Sequence, residues 1–155
     1  MAAYLSPAWF TEADELLRAS AVLSTQSKGV RFVLEQRLGL SNPPLIAMGD
    51  APDKPDPTGF LQLAADILGG ELNADSIPLA YLGDTVADVI TVQRARQQRP
   101  ELRVVSLAVA PPHLHGPDAS ERRNHYEAQL LEAGADVVLP NTSAALSALE
   151  QVLQR

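Results

Sequence analysis

The sequence predicts an α/β fold built on a mainly parallel sheet. Two observations point to it: short apolar runs rich in Val, Leu and Ile, and amphipathic stretches of helical length between them. A third is the punctuation, with Gly and Pro falling at the junctions. At 155 residues the chain fits a single domain, 1–155, long enough to bury about 70% of its unfolded surface.

The elements follow in order. Residues 1–19 end in a leading helix over 11–19, where Trp9 and Phe10, with Leu16 and Leu17 further along, read as packing residues. Strands are expected over 21–24, 45–48, 79–82, 104–109 and 136–139. Helices are expected over 29–38, 58–68, 86–98, 120–133 and 143–153. Gly39 and the Gly69-Gly70 pair suit helix ends, and Arg94, Arg96 and Arg99 ahead of Pro100 favour the negative pole of their helix. Residues 110–119, with Pro111, Pro112, Gly116 and Pro117, read as a loop over the sheet edge.

Composition excludes several classes. A net charge of -7 argues against nucleic acid, whose phosphate backbone calls for a basic surface. No apolar run approaches the roughly 20 residues that span a bilayer, so no membrane partner is expected. Glu12, Asp14 and Glu15 against Arg18 are unlike a signal or transit peptide, and a cytoplasmic protein is expected. With no cysteine, there is no disulfide, thiolate metal site or cysteine nucleophile. His113, His115 and His125 read as surface histidines, since no third ligand has zinc-site spacing. Neither a dinucleotide fingerprint nor a Gly-Lys-Ser/Thr phosphate loop occurs.

In open parallel sheets ligands gather beyond the carboxyl ends of the strands. Three such ends carry reactive groups: Ser24-Thr25 after the first strand, Lys54 after the second, and Gly83-Asp84-Thr85, with Asp88 a turn on, after the third. A hydroxyl, an ammonium and two carboxylates suit a phosphate held by a hard divalent cation. Oxygen ligands favour magnesium, and Lys54 can neutralise phosphate oxygens. A purely structural alternative stands beside this for each residue. Asp84 can cap the helix and Asp88 complement its positive end, Lys54 can be a solvated turn lysine, and Ser24 can satisfy local backbone.

Taken in order, Ser24, Lys54-Pro55-Asp56-Pro57 and Gly83-Asp84-Thr85-Val86-Ala87-Asp88 resemble the haloacid dehalogenase superfamily of phosphohydrolases. The likeness is to the subfamily with a helical cap inserted after the first strand, and it covers about 21–107. It implies a Rossmann-like core in which Ser24 and Lys54 bind phosphate, Lys54 also stabilises the reacting group, and Asp84 and Asp88 hold Mg2+. The implied substrate is a small phosphorylated compound. The implied chemistry is attack on phosphorus by an Asp, followed by hydrolysis of the aspartyl-phosphate with a second Asp two positions on as acid and base.

That nucleophile pair is absent: no Asp-x-Asp occurs anywhere in the sequence. The resemblance implies that the central nucleophile strand and most of the cap are missing, residues 1–19 being the end of the cap linker and a leading helix. Loss of a nucleophile costs on the order of a millionfold in rate, so the chain is expected to be inactive alone. A missing central strand leaves edges that invite a complementing chain or self-association. The alternative function is a non-catalytic module that binds a phosphate ligand or a protein.

Overall fold

The apolar runs form strands and the amphipathic stretches helices over the residues that the structure, a computed structural model, describes: 22–23, 29–42, 44–47 and 49–154. The chain divides into two compact units, Met1–Leu72 and Asn73–Arg155. The expected helix 11–19, with Trp9 and Phe10, lies outside the described residues.

In the first unit, β1 (Val22–Leu23) pairs in parallel with β2 (Leu45–Ile46). Between them runs α1 (Gly29–Leu38), which buries Leu34 and ends at Gly39. Gly39 takes the left-handed φ of 68°, and the Leu40 amide returns to the Leu34 carbonyl at 3.1 Å, closing the helix. After β2, the Asp50 carboxylate accepts the Ala47 amide at 3.1 Å, forming a tight turn. Helix α2 (Thr58–Leu68) then buries Gly59, Phe60, Leu63 and Ala64, an i, i+3, i+4 stripe that packs on β1 and β2.

The second unit is a three-stranded parallel sheet in the order β3 (Leu79–Gly83), β4 (Val104–Val109), β5 (Val137–Leu139). Helix α3 (Val86–Gln98) connects the first two strands and α4 (Ser120–Glu132) the last two, while α5 (Ala145–Leu153) follows. All six β4 residues are buried because both faces are covered. Val105, Leu107 and Val109 meet Leu139 and α5 on one face; Ala108 meets Val89 and Leu130 on the other.

Polar links fix the frame. Arg96 of α3 donates to the Val104 carbonyl at 2.7 and 3.1 Å and pairs with Asp136, whose Oδ2 also accepts the Ser106 amide at 2.7 Å. Arg103 donates to the Val152 and Leu153 carbonyls at the end of α5.

Several expected boundaries shift by a residue or two: β2 stops at Ile46, β3 runs on to Gly83, α4 stops at Glu132 and β5 starts at Val137. Residues 110–119 contain two short 3-10 turns, Pro112–Leu114 and Pro117–Ala119, each opened by a proline preset for that φ. The last helix starts later than residue 143, after a 3-10 turn at Thr142–Ala144 that is capped by Asn141, whose side chain accepts the Ala144 amide at 3.2 Å. No helix among the described residues is long and apolar enough to cross a membrane.

Candidate functional site

Ser24 lies outside the described residues. Lys54 sits in the first unit, half-buried in the loop between β2 and α2. That loop is ordered by its own acids: Asp56 Oδ1 accepts the Thr58 amide at 2.9 Å, and the Asp56 amide donates to the Asp53 carbonyl at 3.0 Å.

Asp84 and Asp88 are brought together in the second unit, where β3 turns into α3. Asp88 is 2% exposed. Its Oδ2 accepts the Asp84 amide at 3.2 Å, the Thr85 amide at 2.9 Å and the Thr85 hydroxyl at 2.6 Å. Its Oδ1 accepts the Tyr81 hydroxyl at 3.0 Å. The N-cap is Thr85, not Asp84, and Asp88 completes a capping box three residues on. The Asp88 carboxylate is thus surrounded by protein donors, which offset the cost of burying its charge.

Asp84 is different. Its side chain is partly exposed, and no donor reaches its carboxylate among the described residues. Its amide is held by Asp88, and its carbonyl accepts the Tyr126 hydroxyl at 2.9 Å, from α4. The oxygen chemistry of Asp84 fits a hard divalent cation such as magnesium. Asp88 fits a bracing role better, because Oδ2 already takes three donors. Among the described residues no three His, Cys, Asp or Glu converge on a point, so a cation at Asp84 needs further oxygens from water, substrate or another segment.

Both tyrosines respond to this cluster. Burial, and after it the charge and hydrogen bond of Asp88, push the Tyr81 phenol far above its ordinary range. Burial, then the charges of Asp84 and Asp88, push Tyr126 up as well. Both hydroxyls therefore stay protonated, as donors, through neutral pH.

Tyr81 and Tyr126 were not among the residues expected from the strand ends, and Thr85 was named there only as part of the Gly83-Asp84-Thr85 turn. Thr85 had a readable signal, since Thr-x-x-Asp ahead of an apolar stretch follows the capping-box pattern. Tyr126 had none, being 42 positions from its partner. Two of the histidines have contacts of their own: His115 lies 2.7 Å from the Ala110 carbonyl and 3.2 Å from Arg123, and His125 lies 3.4 Å from Gln129.

The sequence matches no family model and no curated protein. Among solved structures, the fold is similar to the crystal structure of a phosphonoacetaldehyde hydrolase like protein from Oleispira antarctica, with a TM-score of 0.67 at 19% identity. The alignment covers 97% of this chain and 58% of that one, so the chain spans under two thirds of its neighbour's length. The likeness shows the fold alone: a Rossmann-type α/β core with a parallel sheet.

Proposed function

We propose that this chain is a core of the haloacid dehalogenase type of hydrolase, a magnesium-dependent phosphatase that turns over substrate only when an Asp-x-Asp segment is supplied to it. The observation that carries the reading is Asp84, a carboxylate at the carboxyl end of a parallel strand whose backbone is braced on both sides while its oxygens receive no donor among the described residues. The order Ser24, Lys54, Asp84, Asp88 supports it, as does a fold shared with a hydrolase-like protein.

In this reading Asp84 would hold Mg2+ and Asp88 would fix the turn that presents it. Lys54 and Ser24 would bind phosphate oxygens, Lys54 also countering charge on the transferring group. When bound, magnesium would offset repulsion between a phosphate and an attacking carboxylate. The substrate is a small phosphorylated compound, and phosphonoacetaldehyde, a phosphonate with a C–P bond taken from the neighbour's name, is assayed beside it.

The complementing segment is proposed to pair along β3. The Leu79 amide bonds to the Arg103 carbonyl of the segment entering β4, so alternation turns the backbone groups of Ala80 and Leu82 to the other edge. Among the described strands β3 pairs with β4 alone, and Leu82 is 42% exposed.

The test is a longer polypeptide in which an Asp-x-Asp strand and a cap precede this sequence. Magnesium-dependent hydrolysis of p-nitrophenyl phosphate is expected, abolished by Asp84→Asn, with hydrogen exchange slowed at Ala80 and Leu82. No activity in the longer polypeptide, or full activity in Asp84→Asn, would sink the proposal.

The second reading, a non-catalytic module for a phosphate ligand or a protein, is favoured by the absence of any Asp-x-Asp. Calorimetry on the present chain separates the two: phosphate binding that Lys54→Ala removes, with no turnover in the longer polypeptide, selects the module.

A further inference from the structure

We infer that Tyr126 is a positioning residue for Asp84, fixing from a distant helix the direction in which that carboxylate leaves the turn. The inference rests on reading Asp84 as a metal-binding group.

A side chain's exit direction depends on the two peptide planes that flank its Cα. At Asp84 both are held. The preceding plane is fixed through the Asp84 amide, which donates to Asp88 Oδ2 at 3.2 Å. The following plane is held at both ends: its carbonyl accepts the Tyr126 hydroxyl at 2.9 Å, and its N–H, that of Thr85, donates to Asp88 Oδ2 at 2.9 Å. Asp88 alone would leave that carbonyl without its brace from α4.

Helix α4 is itself firmly seated, so the constraint is transmitted. Leu130, one turn beyond Tyr126, is fully buried in a cluster with Val89 and Ala108, against which the Tyr126 ring also packs. On the same side of the helix, Arg123 donates to the Pro140 carbonyl at 3.0 Å and to Glu127 at 2.6 Å. The tyrosine therefore links the core beneath α4 to the one carboxylate of the turn that its neighbours leave available for a cation. Groups that orient a metal ligand change affinity by about 10-fold or more when removed.

The experiment uses the full chain with manganese as the probe, read as paramagnetic broadening of backbone amide signals near Asp84. Thermal melting is measured in parallel. Tyr126→Phe is expected to stay folded, to shift the Asp84 carbonyl carbon signal without any metal, and to weaken manganese binding about 10-fold. Asp84→Asn is expected to abolish the local broadening. Leu139→Ala, buried on the opposite face of the sheet, is expected to lower the melting temperature and leave the manganese constant unchanged.

Wild-type affinity in Tyr126→Phe, with binding lost in Asp84→Asn, overturns the positioning role and leaves the metal reading intact. Equal weakening in Tyr126→Phe and Leu139→Ala also overturns it, as general loosening. No local broadening in the wild type, or undiminished broadening in Asp84→Asn, overturns the metal reading and this inference with it.

Discussion

Gly83 and Asp88 share a space that admits one side chain. A Cβ placed on Gly83 would stand 2.3 Å from the Asp88 Cβ and 2.8 Å from its Oδ2. The glycine is needed for this close approach, because the buried carboxylate reaches back over it to gather the Asp84 and Thr85 amides.

Gly83→Ala is therefore expected to push Asp88 out of its capping position. Overpacking of this kind costs about 1–3 kcal/mol, and the strained contact is with a Cβ that cannot rotate away. Urea denaturation should show a lowered midpoint at unchanged slope. A loss below about 0.5 kcal/mol, the scale of an ordinary surface substitution, would mean that the turn relaxes and the space is not exclusive.

Alkaline pH should destabilise the second unit through Tyr81. Its folded-state value is raised, by burial first and by Asp88 second. The proton is held more tightly in the folded state, so the contribution is complete below the unfolded value of about 10 and is lost as pH rises beyond it. Stability should be level from pH 7 to 9 and fall above about 10, with one phenol ionising only as the chain unfolds. Tyr81→Phe should remove most of that alkaline loss and cost about 2 kcal/mol at neutral pH, since the lost bond is to a charged carboxylate. Tyr126, shifted the same way, leaves a smaller residue of it. An identical alkaline limb in the variant and the parent would contradict the assignment.

Arg96 contributes more through the Val104 carbonyl than through its ion pair with Asp136. Both charged side chains remain about 30% exposed, so solvent screens the pair. A double-mutant cycle between Arg96→Ala and Asp136→Ala should give a coupling of about 1 kcal/mol or less. Arg96→Ala alone should cost about 2 kcal/mol, since charged donors to a carbonyl are worth more than the exposed pair. A coupling as large as the whole single-variant loss would reverse this ranking.

Local order was written plainly in the chain. The bounds 29–38, 58–68, 86–98 and 104–109 expected from the sequence are those of α1, α2, α3 and β4, because the helices alternate apolar and polar positions, β4 is a near-continuous apolar run, and each has a Gly or Pro stop within a few residues. Motif order likewise placed Lys54, Asp84 and Asp88 just beyond parallel strands, since strand ends can be read from where apolar runs stop. The 3-10 turn before α5 escaped, because a first turn of either helix type carries the same cap, here Asn141.

What the sequence by itself determined is the α/β alternation and the placing of two aspartates at the end of β3, because both depend on contacts within a few residues. Only the tertiary structure decided how their surroundings differ. Asp88 is buried and filled by donors because Tyr81 and the Gly83 backbone close over it. Asp84 keeps its carboxylate clear while Tyr126, 42 residues on, holds its carbonyl. The place of Asp88 is partly local, since Thr85-x-x-Asp88 follows the capping-box pattern, whereas the brace on Asp84 depends on how α4 packs on the sheet, of which the residues of the turn carry no sign.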